Sequence, residues 1–284
     1  MKIGIMSGAY IGRYGWDEGL AKMREHGYEA IDDQTFCNTD NNPIFTASES
    51  ELEKMMAERR RKYEANGIEV SQVHGPWRFP IRDFTKADRE ERFEKMAKTI
   101  RGCAMLGCPN MVIHNLMPYG ASDISKDVVW RINEDVMGRL AEVGREYGVV
   151  VNMENMPFRH QRLATCADLL AFVKQMNTEW IRICLDTGHA AVFGHSLADC
   201  VRLIGKEYLR TLHVHDNDGK HDRHWNPYQG VNDWAAFGAA LHEIGFEGAL
   251  SLETAAVLSA DMSEADRDAA ERALAATARS IIEK

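Results

Sequence analysis

The sequence predicts a single (β/α)8 TIM barrel of the α/β class. Short β-rich apolar runs alternate with longer amphipathic stretches eight times along the chain. Strands that alternate with helices indicate βαβ units and a parallel sheet. The length of 284 residues is normal for one such barrel, and a hydrophobic fraction of 45% is enough to build its core. No linker or composition shift interrupts the pattern, so residues 1–284 are predicted to form one domain.

The elements follow one another in a regular order. The predicted strands cover residues 2–6, 29–33, 68–73, 110–113, 148–153, 181–185, 209–214 and 248–252. Helical patterns lie near residues 16–26, 49–66, 88–107, 126–147, 165–176, 196–207, 233–244 and 263–283. Several helices end at a glycine just before the next strand, as at Gly67 and Gly107. An open doubly wound sheet is the competing layout, but the turn after the first strand, residues 7–10, lacks a glycine-rich phosphate fingerprint.

Charge and composition narrow the class of function. The formal net charge of −9 disfavours binding to duplex nucleic acid, because neutralisation of phosphates dominates that affinity. No apolar run is long enough to cross a bilayer, and the first residues lack the pattern of a signal peptide, so a cytoplasmic location is expected. The six cysteines form no Cys-x-x-Cys pair, which argues against a thiolate zinc site. The partner expected is a small molecule, and a homo-oligomer is left open.

Ionisable residues end six consecutive predicted strands. They are His74 after strand three, His114 after strand four, Glu154 after strand five, Asp186 and His189 after strand six, His213 and His215 after strand seven, and Glu253 after strand eight. A barrel brings these strand ends into one ring. The Glu, Asp, His and Glu of strands five to eight would meet there, and such a set suits Mn²⁺, Mg²⁺, Co²⁺ or Zn²⁺. A cation would also compensate for several acidic groups left unpaired at one place.

Three motifs carry a resemblance to a known superfamily. The segment 185–189 (LDTGH), the pair His213-x-x-Asp216 and the dipeptide Leu252-Glu253 resemble the sugar phosphate isomerase/epimerase superfamily with its xylose isomerase-like barrel. That superfamily includes ketose 3-epimerases, inosose dehydratases and endonuclease IV. The resemblance implies one divalent ion bound by Glu154, Asp186, His213 and Glu253. Alternation along a strand does not choose between His213 and His215, and the family pattern His-x-x-Asp/Glu implies His213.

The loop after strand seven departs from the epimerase pattern. It contains Asp222 and His224, and this Asp-x-His pair resembles the one that endonuclease IV uses, with a histidine like His189, to hold an additional zinc. His74 and His114 also resemble the remaining metal ligands of that enzyme. One ion is therefore expected, and the pattern leaves room for two or three.

The function implied by the resemblance is sugar isomerisation or epimerisation. A proton next to a carbonyl would be abstracted through a metal-stabilised enediolate, with Glu154 and Glu253 as base and acid. His189 would contact a substrate oxygen or a second ion, and His114 and His224 are further candidates for substrate binding. Trp77 and Trp225 either pack on the apolar face of the sugar or simply roof the barrel.

Two other reactions remain as alternatives. The first is a lyase or dehydratase acting on a sugar, inosose or glycoside with the same site, because fold-level analogy does not separate these outcomes. The second is an endonuclease IV-like phosphodiesterase on abasic DNA. The histidine-rich ligand set favours this second alternative, and the net charge of −9 opposes it.

Overall fold

The fold is a parallel barrel surrounded by helices. A computed structural model describes residues 1–78, 81–117, 126–254 and 262–283. Its strands are β1 (Lys2–Met6), β2 (Ala30–Asp33), β3 (Glu69–His74), β4 (Asn110–His114), β5 (Val150–Glu154), β6 (Ile181–Asp186), β7 (Leu209–His213) and β8 (Ala249–Leu252). The sheet order is β7-β6-β5-β4-β3-β2-β1-β8, and each strand pair is parallel.

The barrel closes between β7 and β8 through one residue beyond the end of β7. Val214 forms a parallel bridge with Leu252. Its amide donates to the Ser251 carbonyl at 2.8 Å, and its own carbonyl accepts from the Glu253 amide at 3.0 Å. This closure fixes the position of Glu253 relative to the end of β7. The predicted barrel is therefore confirmed, and each predicted strand is present within two residues of its expected bounds.

Helices cover the outside of the barrel and connect successive strands. They are α1 (Ser7–Tyr14), α2 (Trp16–Glu25), α3 (Pro43–Thr46), α4 (Glu49–Asn66), α5 (Lys86–Leu106), α6 (Lys126–Tyr147), α7 (Cys166–Met176), α8 (Thr187–Val192), α9 (Leu197–Tyr208), α10 (Trp234–Ile244) and α11 (Glu264–Ile282). The sequence pattern predicts all of these except the short helices α1, α3 and α8. Each of the three is eight residues or fewer, too short to show a helical period.

Capping residues explain where the helices α4 and α5 begin and end. Ser48 and Thr85 each form a complete capping box at the start of α4 and α5, which satisfies backbone amides that a helix start leaves unpaired. Gly67 and Gly107 end the same helices in the left-handed conformation, with φ of 64° and 76°. The chain therefore leaves each helix at its glycine and enters the next strand, β3 or β4, a few residues later.

The two faces of each strand have different roles. Along β5, Val151 and Met153 belong to the hydrophobic core, whereas Asn152 and Glu154 alternate with them on the other face. Asn152 and Glu154 are nevertheless buried, at 0% and 1% exposure. The barrel interior thus becomes polar toward the carboxyl ends of the strands. Within the described residues, no helix combines the length and apolar character needed to span a membrane.

Candidate metal centre

Four strand ends bring four ligand-type side chains to one point. Glu154, Asp186 and His213 are the last residues of β5, β6 and β7, and Glu253 directly follows β8. One ligand atom from each lies within 4.8 Å of the others. We call these four residues the first cluster. They are the four residues that the resemblance to ketose 3-epimerases implies as ligands of one ion, and the structure places them together.

His213 lies at the centre of the first cluster. Its Nδ1 is 3.1 Å from Glu154 Oε1 and 3.3 Å from Glu253 Oε2. Ligand atoms bound to one ion at about 2.0–2.2 Å stand about 3.0–3.5 Å apart, so these separations fit a shared cation. The atoms His213 Nδ1, Glu154 Oε2 and Glu253 Oε2 are buried and have no hydrogen-bond partner in the described part of the chain. Buried polar atoms of this kind require a partner, and a divalent ion would supply one.

The two glutamates differ in their electrostatic environment. Burial disfavours the charge on Glu154, but His213 and His114 overcome that effect and lower its pKa well below the usual range. Burial raises the pKa of Glu253, and His213 offsets this only in part. The Glu253 side chain is 13% exposed, whereas that of Glu154 is 1% exposed. Glu253 is therefore the carboxylate that faces the open side of the site.

Two further histidines extend the first cluster toward β3 and β4. His114 Nε2 lies 3.2 Å from Glu154 Oε2, and His74 Nε2 lies 3.9 Å from the same oxygen. His74 also groups with Glu154 and His213 as a possible ligand set. Burial lowers the pKa of His114 to about 4, so this imidazole is neutral at physiological pH and free to act as a ligand.

An apolar wall adjoins these histidines. The Trp77 ring meets His114 edge-to-face at 4.3 Å between centroids. Trp77 also belongs to a small hydrophobic cluster, separate from the main core, that contains Met117, Met156, Ala164, Ile81, Phe158 and Phe193. Trp77 therefore lies beside the first cluster, between His114 and this small hydrophobic cluster.

A second group of ligand-type residues lies next to the first. His189, His215, Asp222 and His224 bring one ligand atom each within 4.8 Å of one another, and we call them the second cluster. Asp222 Oδ2 is 3.3 Å from His189 Nε2 and 3.2 Å from His224 Nε2. Burial opposes protonation of both imidazoles, but the nearby aspartates raise the pKa of His189 to about 10 and that of His224 to about 9. A cation bound here would have to displace those protons.

His215 is the member of the second cluster that sequence reasoning missed. Its ring stacks on His224 at 4.1 Å, and its Nε2 lies 3.0 Å from Asp186 Oδ2. His213 is the last residue of β7 and His215 follows it by two residues, yet they reach different clusters. The His-x-x-Asp pattern assigns only His213 to a metal ion, so it did not identify His215 as a ligand-type residue. Asp186 contacts His215 and so links the two clusters.

The loop that carries Asp222 and His224 is organised by Asp216. The buried Asp216 carboxylate accepts from the amides of Asn217 and Gly230 at 3.0 and 2.9 Å, and from Trp234 Nε1 at 3.0 Å. Trp225 pairs its backbone with that of Asp216, with N–O distances of 2.8 and 2.9 Å. The half-buried Trp225 indole makes no hydrogen bond or ring contact with the described residues. Asp216, which ends the family pattern, thus shapes the loop and belongs to neither cluster.

The chain is similar to known proteins over most of its length. The sequence model described as "Xylose isomerase-like TIM barrel" matches residues 20–279. An inosose isomerase of Bacillus velezensis is 24% identical over 245 residues, covering 83% of this chain and 82% of that protein. A D-psicose 3-epimerase of Ruminiclostridium cellulolyticum is 28% identical over 197 residues, covering 66% of this chain and 64% of that protein. A probable endonuclease 4 of Nitrosopumilus maritimus is 28% identical over 159 residues, 49% of this chain and 55% of that protein.

Solved structures show the same fold over the whole chain. The D-psicose 3-epimerase of Clostridium cellulolyticum with D-tagatose aligns with a TM-score of 0.81 at 19% identity, covering 100% of both chains. The 3-keto-D-glucoside 4-epimerase of E. coli aligns with a TM-score of 0.79 at 20% identity, covering 99% of both. The IolI protein with a bound zinc atom aligns with a TM-score of 0.76 at 19% identity, covering 99% of this chain and 98% of that one.

Proposed function

Because this chain belongs to the xylose isomerase-like TIM barrel family, we propose that it is a divalent-metal-dependent sugar epimerase or isomerase. The observation that carries the proposal is the first cluster, in which His213 Nδ1 lies within 3.3 Å of oxygens from both Glu154 and Glu253 without a hydrogen-bond partner in the described residues. The sugar epimerases and isomerases among its relatives support the same class of reaction. The enzyme would act on a small carbohydrate.

The first cluster would hold one ion through Glu154, Asp186, His213 and Glu253. A mixed oxygen and nitrogen set suits Mn²⁺, Zn²⁺, Mg²⁺ or Co²⁺. When bound, a cation supplies Lewis-acid stabilisation of the negative charge that develops on a substrate oxygen. The other residues of the site then bind the sugar and move its proton.

Glu253 is the proposed group that takes a proton from the carbon next to the substrate carbonyl. Its carboxylate is the more exposed of the two glutamates and has the higher pKa, which suits a group that gains and returns a proton. Glu154 serves as the opposing acid or base. His189 and His114 would hold substrate oxygens, and Trp77 would cover an apolar face of the sugar. Trp225 and His224 would contact substrate from the loop after β7.

We further propose that the second cluster binds an additional ion or grips substrate oxygens. His189, His215, Asp222 and His224 supply three imidazoles and one carboxylate, which is a ligand set typical of zinc. Their close packing around Asp222 makes them suitable for either role. Anomalous diffraction from crystals soaked in Zn²⁺ separates the two: a peak beside His224 supports an ion, and a peak at the first cluster alone supports substrate contact.

The central test combines metal analysis with proton exchange. Purified protein is assayed for bound metal and then incubated in deuterated water with a panel of free ketoses and inososes. We expect bound divalent metal and deuterium at the carbon next to the carbonyl. Glu253→Gln should abolish exchange and weaken metal binding, whereas Glu271→Gln, which alters a buried carboxyl outside both clusters, should retain exchange. Metal-free protein together with unchanged activity in Glu253→Gln would refute the proposal.

A second candidate function is metal-dependent hydrolysis of a phosphodiester. It is favoured by the histidines beyond the first cluster, which provide ligands for more than one ion, and by the relative described as a probable endonuclease 4. The net charge of −9 opposes tight binding to DNA. Cleavage of an abasic duplex that is lost in Glu253→Gln would favour this function. Loss of water or an aglycone without isomerisation would instead indicate a lyase.

A further inference from the structure

We propose that Asp32 is a positioning residue that orients His213 for metal binding. Asp32 is the third residue of the strand β2, which is separated from β7 around the barrel by β1 and β8. Its Oδ2 lies 3.0 Å from His213 Nε2, and both side chains are buried, at 1% and 0% exposure. The inference rests on the metal site of the proposed function and assigns a residue that neither cluster contains.

The contact fixes which ring nitrogen of His213 faces the first cluster. A carboxylate only accepts hydrogen bonds, so His213 Nε2 carries the proton that points to Asp32. The other nitrogen, Nδ1, lies 3.1 Å from Glu154 Oε1 and 3.3 Å from Glu253 Oε2, and it would present its lone pair to an ion held among these atoms. A histidine that donates its second N–H to a carboxylate has its tautomer and orientation fixed, and it becomes a more basic metal ligand.

A register shift between β2 and β3 and hydrogen bonds from Gln72 hold Asp32 in place. The register between β2 and β3 shifts at Ile31 and Asp32, so that Asp32 pairs with Gln72. Such irregularities re-aim side chains in a sheet. Gln72 Nε2 donates to Asp32 Oδ2 at 3.2 Å and to the Leu212 carbonyl at 3.2 Å. Gln72 therefore ties the Asp32 carboxylate to the backbone residue that precedes His213.

The neighbouring acid has a different role and offers a matched control. Asp33 is also fully buried, but its carboxylate accepts from the Tyr63 hydroxyl at 2.7 Å and from the Thr35 amide at 2.7 Å. These contacts face the helix layer and the loop after β2. Removing the charge of Asp33 thus disturbs a buried acid on the same strand without touching His213.

The experiment measures Zn²⁺ affinity by competition with a chromophoric chelator, in wild type and in Asp32→Ala, Asp32→Asn and Asp33→Asn. Loss of an outer-shell partner typically weakens metal binding about 10–100-fold, and this is expected for Asp32→Ala. Asp32→Asn should weaken Zn²⁺ binding less than Asp32→Ala does. The side-chain amide oxygen in this variant still accepts from His213 Nε2, although it lacks the carboxylate's charge. Asp33→Asn should bind Zn²⁺ within about twofold of wild type. Should Asp32→Ala fail to fold, the comparison of Asp32→Asn with Asp33→Asn gives the answer.

A spectroscopic measurement identifies the coordinating nitrogen. Long-range ¹H–¹⁵N NMR of the zinc-loaded wild type should show His213 bound through Nδ1 and protonated at Nε2. Wild-type coordination through Nε2, equal weakening in the Asp32 and Asp33 variants, or Asp32 variants with wild-type affinity would each overturn the inference. A wild type that binds no Zn²⁺ at all would refute the metal site of the proposed function and this inference with it.

Discussion

Gly188→Ala tests how tightly the start of α8 packs against the second cluster. A Cβ atom at Gly188 would lie 2.8 Å from His215 Nε2 and closer still to Cε1 and Nδ1. Non-bonded heavy atoms are comfortable at about 3.5–4.0 Å, so the His215 ring has to move. It is confined by the stacked His224 ring at 4.1 Å and by the contact with Asp186 at 3.0 Å.

The magnitude follows from that confinement. Overpacking of a closely packed site typically costs about 1–3 kcal/mol. For a domain somewhat smaller than this one, each kcal/mol lowers Tm by about 2–4 °C, so a decrease of about 2–12 °C is expected for metal-free Gly188→Ala. Displacement of His215 should also weaken Zn²⁺ binding at the second cluster, because one of its four ligand atoms leaves the common position.

The assay is scanning calorimetry of the metal-free protein, followed by titration with Zn²⁺. Gly12→Ala is the matched control, because a Cβ atom there has no neighbour within 4 Å and the residue lies in the helix α1. An alanine at that helical position should leave Tm unchanged or raise it slightly. A Gly188→Ala variant that melts with the wild type and gives an identical Zn²⁺ titration would refute the packing explanation.

Three further outcomes are expected. Zn²⁺ or Mn²⁺ at about 100 times Kd should stabilise the fold by about 2.7 kcal/mol and raise Tm by several degrees, and Glu154→Gln should remove most of that shift in calorimetry. Trp234→Phe should cost about 1.5–3 kcal/mol in urea unfolding, because it deprives the buried Asp216 carboxylate of an indole donor at 3.0 Å; a loss below 0.5 kcal/mol would contradict the role of Asp216 as loop organiser. Hydrogen bonds from His26 and Arg272 lower the pKa of Asp268 from 3.8 to about 2, so its stabilisation is present above pH 4 and is lost as pH falls through 2. Thermal melts of Asp268→Asn should therefore depend less on pH between 4 and 2 than those of the wild type.

The amino-acid sequence by itself determined the barrel and the identity of most residues in the two clusters. The alternation of strand and helix patterns defined the elements. Because the strands of a parallel barrel all end on the same side, residues that end different strands come close together in space. Glu154 and Glu253 are about a hundred residues apart, yet each follows an apolar strand run and both reach the same ring. The short helices α1, α3 and α8 escaped prediction, because one or two helical turns leave no periodic pattern.

Only the tertiary structure decided which atoms meet. Alternation along the predicted seventh strand would place His213 and His215 on one face, but β7 ends at His213, and the packing brings His213 to the glutamates and His215 to Asp186 and His224. The contact between Asp32 and His213 joins residues 181 positions apart across the barrel. A strand pattern gives the face of each side chain, whereas the distance between two side chains depends on strand stagger, on the register shift in β2 and on closure of the sheet. Those quantities arise from packing many segments at once, so no local pattern in the chain encodes them.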